Sequence, residues 1–177
     1  MLGQSAERVV AGMEDLLPGE SLLLSPSYDL APLLPESVRR ATNAAETYRL
    51  VFVFENFLRK FVVDVLSKDA TVPWWDKVPT DVQQEVLKVE ETDEIKSWMA
   101  LGSRDRSALM TFPQLLRVMD HAWKAGFDEL VRDKALIQSA RLLVHLRNTI
   151  CHMTDIPPEE TERIRQTMRD WFRVVSP

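Results

Sequence analysis

Residues 36–67, ESVRRATNAAETYRLVFVFENFLRKFVVDVLS, lie within the longest stretch of the chain that lacks glycine and proline. Their apolar side chains recur at intervals of three and four, the spacing of one helix face: Val51, Phe54, Leu58, Phe61 and Val65. Glu55 and Arg59 add an ion pair in the favourable i,i+4 order. The short run 50–54 alone resembles a strand. The length of the stretch favours a single helix from Glu36 to about Ser67.

Proline and glycine divide the rest of the chain into shorter segments. We predict a helix over residues 6–17, an irregular segment over 18–35 that packs on a surface, and helices over 80–102, 113–126, 133–153 and 159–175. Thr80 with Gln83 predicts a capping box at the start of the second long helix. Since no segment alternates with period two, the fold class is all-α, a bundle of four to five main helices. Residues 1–45 form an N-terminal extension and 46–177 the helical domain.

Composition excludes several classes of protein. The 177 residues (20.4 kDa) suffice for one domain with its own core. A net charge of −5 argues against a protein that coats nucleic acid through a broad basic surface. The single cysteine, Cys151, excludes an internal disulfide and a multi-cysteine zinc site. The longest apolar run, 50–54, is too short to span a bilayer, and residues 1–17 lack the pattern of a signal peptide. The expected location is the cytoplasm, with no membrane association.

Helix 133–153 carries the residues that point to chemistry. Its apolar face consists of Leu136, Ala140, Leu143 and Ile150, and Arg147 falls in the middle of this face. A guanidinium stays charged and is costly to bury without a partner. The position of Arg147 therefore predicts a carboxylate, a second copy of the chain or a bound phosphate beside it.

A second, polar face of the same helix carries Asn148 and His152, together with His145 and Arg141. On an ideal helix, Arg147 and His152 point about 140° apart. They can therefore act on one group only if the helix ends or bulges near His152, or if a second subunit supplies part of the site.

The sequence Arg147-Asn148-x-x-x-His152 resembles the signature of the HEPN superfamily of small helical domains, most of which are metal-independent ribonucleases. Further segments follow in family-like order: 48–50, 55–59, 74–79, 112–116, and Trp123 with Phe127. This ordered set is similar to the HEPN branch found at the end of a eukaryotic endoribonuclease of nuclear mRNA surveillance. The resemblance covers roughly residues 47–175 and implies a HEPN-like bundle over 46–177.

The resemblance implies an endoribonuclease that needs no metal or other cofactor, and plausible service as a toxin or defence effector. The 2′-hydroxyl of RNA would attack the adjacent phosphorus, with His152 in proton transfer, Arg147 on the phosphate and Asn148 orienting the histidine. Candidate supporting residues are Glu55, Arg59, His145 and Arg141. The expected partners are RNA and a second copy of the chain. Thr154 stands where HEPN toxins silenced by a nucleotidyltransferase usually carry tyrosine, which puts that mode of silencing in doubt.

Other interpretations stay open at this point. The chain could be a HEPN module without catalysis that dimerises and binds nucleotide, RNA or a partner protein. It could also be a toxin held by an antitoxin or another regulatory partner through residues 1–45. Arg147 could be a structural arginine paired with Glu55, and His152 could interact with the helix dipole. Cys151 is expected to be buried.

Overall fold

The computed structural model describes residues 21–96, 98 and 105–175. Within them lie a small antiparallel hairpin, β1 (Leu23–Ser25) with β2 (Tyr28–Asp29), and seven α-helices. The helices are α1 (Pro35–Leu66), α2 (Thr80–Ile95), α3 (Arg106–Leu109), α4 (Phe112–His121), α5 (Phe127–Leu130), α6 (Ala135–Cys151) and α7 (Pro158–Val174). Two short 3₁₀ turns, Trp74–Lys77 and Trp123–Ala125, connect them. The prediction of an all-α bundle is confirmed.

Helix α1 is the axis of the fold. Pro35 supplies the first helical residue, where a missing N–H costs nothing, and the helix ends before Ser67. It packs against α4, α6 and α7. One face is buried along nearly its whole length, and this face includes Val51, Phe54, Leu58, Val62 and Val65. The predicted long helix is therefore confirmed to within one residue at each end.

Aromatic rings and a few buried polar bonds hold α7 in place. Phe54 of α1 lies 5.9 Å, centroid to centroid, from the ring of Trp171, which is fully buried. The Trp171 indole N–H donates to the Leu136 carbonyl of α6 at 3.1 Å. At the other end of α7, the hydroxyls of Thr47 and Thr161 share a buried hydrogen bond of 2.9 Å. Helices α1, α6 and α7 are thus fixed relative to one another.

Three predictions about helix boundaries are corrected. Helix α2 begins at Thr80, but Pro79 occupies the N-cap position and Gln83 donates to the Trp75 carbonyl, so the predicted capping box is wrong. Helix α4 ends at His121, short of the predicted 126, and Gly126 then adopts a left-handed conformation with φ of 119°. Helix α2 ends at Ile95, before Gly102, which lies outside the described residues.

The segment before α1 also differs from expectation. It forms the hairpin instead of the predicted irregular segment, and Ala31 is the only buried residue among residues 21–34. Its large apolar side chains are half or more exposed in most cases, so the prediction that they pack on a surface is wrong: Leu22, Leu23, Leu24, Tyr28, Leu33 and Leu34. The predicted helix 6–17 lies outside the described residues. Helix α1 runs continuously across residues 45 and 46, and the domain boundary there stays a prediction.

Among residues 21–96, 98 and 105–175, no helix is both long and apolar enough to cross a bilayer.

Candidate active site

The C-terminal end of α6 brings Arg147 against a buried carboxylate of α1. The Arg147 Nε atom donates to Glu55 Oε2 at 3.0 Å, and Nη2 reaches Glu55 Oε1 at 3.4 Å. Glu55 is only 8% exposed. The charge on the apolar face of α6 is therefore met by a carboxylate, one of the partners that the sequence left open.

A second arginine binds the same carboxylate from within α1. Arg59 Nη2 donates to Glu55 Oε1 at 3.1 Å, which confirms the predicted intrahelical pair. The remaining donors of Arg59 hold the chain around α3, with Nε on the Ser107 carbonyl at 2.8 Å and Nη2 on the Met110 carbonyl at 3.1 Å. Glu55 thus sits between two guanidiniums, and one of them is anchored by the backbone.

The environment of Arg147 keeps it charged. Burial acts to lower the pKa of its guanidinium, but the hydrogen bond and the charge of Glu55 outweigh burial and raise the pKa above its ordinary value. Nη1 also approaches Asn148 Oδ1 at 3.4 Å. A guanidinium has five N–H donors. Since three of them are used in these contacts and the side chain is 24% exposed, donors remain for an anion that approaches from solvent.

His152 ends helix α6. Its N–H donates to the carbonyls of Asn148 and Thr149, and its own backbone leaves the helical region. Met153 follows with φ of 61°, while its N–H bonds Ile150 and that of Thr154 bonds Thr149. These bonds form a Schellman motif, a left-handed helix end that usually carries glycine at the position of Met153. The helix therefore ends at His152, one of the conditions under which Arg147 and His152 could act together.

The site residues are only partly assembled within one chain. Arg147, Asn148, Glu55 and Arg59 form a connected set of contacts. The exposed imidazole of His152 has no hydrogen-bond partner among the described residues. The side-chain oxygen of Asn148 faces Arg147 instead of the histidine ring.

The other two candidates lie further from this set. Arg141 donates to Asp120 of α4 at 2.9 Å, and Lys134 and Arg141 together lower the pKa of that carboxyl. The backbone carbonyl of His145 accepts from the Thr149 hydroxyl at 3.0 Å, and the histidine side chain is exposed. Arg141 therefore ties α6 to α4, and His145 faces solvent about two turns before His152.

Two features near Arg147 were not anticipated. Cys151 is exposed, so the prediction that it is buried is wrong. Tyr48 and Phe52 of α1 are also exposed, with ring centroids 6.1 Å apart. Tyr48 and Cys151 both lie close enough to Arg147 to influence its pKa. In the sequence, the only signal for this aromatic pair is that Tyr48 belongs to the family-like segment 48–50. Within the described part of the chain, no three His, Cys, Asp or Glu side chains cluster in a way that could hold a metal ion.

The helical bundle agrees with the comparison with protein families. A family model described as Swt1-like HEPN matches residues 49–176. The chain belongs to this HEPN family. HEPN domains include metal-independent ribonucleases, and many bind RNA and dimerise. Comparisons with curated proteins and with solved structures gave no match. The segment 35–48 of α1 precedes the matched HEPN residues.

Proposed function

We propose that this HEPN domain is a metal-independent endoribonuclease that cleaves RNA by attack of the 2′-hydroxyl on the adjacent phosphorus. The observation that carries the proposal is Arg147, a permanently charged guanidinium held by buried Glu55, with donors left for an anion and the exposed His152 one turn further on. Fixed donors of this kind stabilise charge that develops on a phosphorane.

In the proposed reaction, the 2′-oxygen forms a bond to phosphorus while the bond from phosphorus to the 5′-oxygen breaks. The 2′-hydroxyl proton goes to a base and the leaving 5′-oxygen takes a proton from an acid, and an imidazole can serve as either. His152 fills one of these roles. Arg147 binds a non-bridging phosphate oxygen, and Asn148, whose Oδ1 lies 3.4 Å from Arg147 Nη1, positions the guanidinium. The products are a 2′,3′-cyclic phosphate and a 5′-hydroxyl.

The second part of the proposal is a two-fold dimer. Since no hydrogen bond or ion pair joins Arg147 and His152 within one chain, we infer that a partner subunit supplies the other half of the site. The exposed Tyr48 lies near Arg147, its ring is 6.1 Å from that of the exposed Phe52, and the two rings provide apolar surface for such an interface. A toxin or defence role, with residues 1–45 held by an antitoxin or another regulator, is the cellular setting that we propose.

The direct test is incubation of the purified full chain with total RNA in the presence of a chelator. We expect cleavage that chelator does not reduce, with cyclic-phosphate ends and no cutting at a 2′-deoxy position. Loss of activity with chelator and its return with a divalent ion would overturn the proposal. Growth arrest on expression of the chain, absent for the His152→Ala variant, tests the toxin role.

The alternative is a HEPN module that binds RNA or nucleotide and does not cleave it. The pairing of Arg147 with Glu55 and the net charge of −5 favour this alternative, because both reduce the cationic surface that RNA meets. If the unchanged chain and His152→Ala both bind RNA and neither cleaves it, the alternative is correct.

A further inference from the structure

The loop that follows His152 is tied to α1 by one bidentate ion pair. Arg40 Nε donates to Asp155 Oδ2 at 3.0 Å, and Nη2 donates to Asp155 Oδ1 at 2.7 Å. Two parallel N–H···O bonds fix both the distance and the plane of a carboxylate. Arg40 lies before residue 49, where the HEPN match begins, so this contact comes from the first turns of α1.

The turn held by this pair is strained. Met153 adopts φ of 61°, a conformation that side chains other than glycine rarely adopt. Such a conformation persists only where its surroundings determine it. The hydrogen bonds of the helix end hold the turn on one side, and Asp155, two residues later, holds it on the other.

Packing contributes little at the outer side of this turn. A cavity of about 280 Å³ separates it from α1, lined by Ser37, Arg40, Ala41, Ala44, Met153 and Asp155. The Met153 side chain is 93% exposed. The Arg40–Asp155 pair thus spans this gap between α1 and the loop, and the next residue, Ile156, is partly buried against the core.

We propose that Arg40 is a positioning residue for His152. By holding Asp155, it selects the left-handed conformation at Met153 and so sets the direction in which the end of α6 presents the imidazole. This inference rests on the proposed ribonuclease function for its kinetic consequence, but its structural consequence can be measured without cleavage.

The kinetic test compares Arg40→Ala and Asp155→Asn with the unchanged full chain. We expect kcat to fall about tenfold, between the roughly fivefold effect of a strong exposed ion pair and the hundredfold effect of a misplacement of about 1 Å. KM for RNA should change less than about twofold, because neither residue meets the phosphate. The double variant Arg40→Asp with Asp155→Arg should restore at least half of the activity. A loss that this exchange does not restore would overturn the proposal.

A matched control is Arg163→Ala, which removes another exposed two-bond pair, with Glu160 on α7. It should leave kcat unchanged, and an equal loss there would mean that any lost surface pair has this effect. The second readout is the His152 imidazole signal in a ¹H–¹³C NMR spectrum, identified by its absence in His152→Ala. Arg40→Ala should shift or broaden it, while the signals of His121 and His145 stay in place. If the unchanged chain does not cleave RNA, the proposed function fails, and the NMR result alone decides on Arg40; an unmoved His152 signal refutes its role.

Discussion

Glu55 is a buried carboxylate shared by two arginines with different tasks. Arg59 donates to the backbone carbonyls of Ser107 and Met110 near α3, whereas Arg147 is partly exposed to solvent at the end of α6. Charges taken out of water are tolerated when they are paired and hydrogen-bonded on most sides. The arrangement therefore gives the fold a cation at a fixed position, and the stability of that position depends on a single acidic residue.

The first prediction concerns this dependence. Glu55→Ala should lower the free energy of unfolding by about 3 kcal/mol, because it leaves two guanidiniums without their buried counter-charge. Urea unfolding followed by circular dichroism measures the change. Glu46→Ala, on the exposed side of the same helix, should stay within about 0.5 kcal/mol. Equal effects of the two substitutions would show that Glu55 has no special structural role.

The second prediction concerns the reacting groups. His152→Ala should reduce RNA cleavage by about 10²–10⁴, and Arg147→Ala by about 10²–10³. Asn148→Ala should reduce cleavage less, since this residue orients Arg147 and transfers no proton. His121→Ala, an exposed histidine at the end of α4, serves as the control and should cleave normally. Products with a 5′-phosphate and a 3′-hydroxyl would mean that water is the nucleophile and that these roles are wrong.

At the scale of elements, the helix end at His152 allows a third prediction. Met153→Gly should raise the free energy of unfolding by about 1 kcal/mol, because glycine adopts the left-handed conformation without a steric penalty. The neighbouring Thr154→Gly, with no positive φ to relieve, should give no gain. Thermal and urea unfolding of both variants measure the difference, and a gain for both or for neither would contradict the explanation.

The elements differ in how far the sequence predicts them. Helix α1 is predictable because its breaker-free length and its 3–4 spacing are local properties of the chain. The start of α2 at Thr80 is predictable too, but its cap is not, because Pro79 takes the N-cap position and the Gln83 amide donates to the Trp75 carbonyl. A capping box is found at the start of α4 instead, where the Thr111 N–H donates to Gln114 Oε1 at 2.7 Å.

The site shows the same division. The position of Arg147 on an apolar face predicts that it needs a partner, and Glu55 was among the candidates. The anchoring of Arg59 by Ser107 and Met110 depends on contacts about 50 residues apart, which no local pattern reveals. Cys151 was expected to be buried, but it points about 100° away from the buried Ile150 at the helix end and is exposed.

For the molecule as a whole, we predict a homodimer whose interface includes α6 and the exposed rings of Tyr48 and Phe52 on α1. Light scattering at micromolar concentration should give about twice the 20.4 kDa of one chain. Phe52→Glu should give single chains and reduce cleavage together, because charge in an apolar seam is costly and each site lacks its other half. Leu87→Glu, on an exposed part of α2, should change neither property. A mass of one chain for the unchanged protein would contradict the dimer.

The continuity of α1 separates two boundaries that are often treated as one. The match to the HEPN family model begins at residue 49, yet the helix begins about four turns earlier, at Pro35. Those turns contribute the buried Val38 and the Thr47–Thr161 hydrogen bond to the folded unit. A fragment that begins at residue 49 would start in mid-helix and lose one of the contacts that hold α7, the Thr47–Thr161 hydrogen bond. The folded helical unit of this protein therefore extends further toward the N-terminus than the residues that the family model matches.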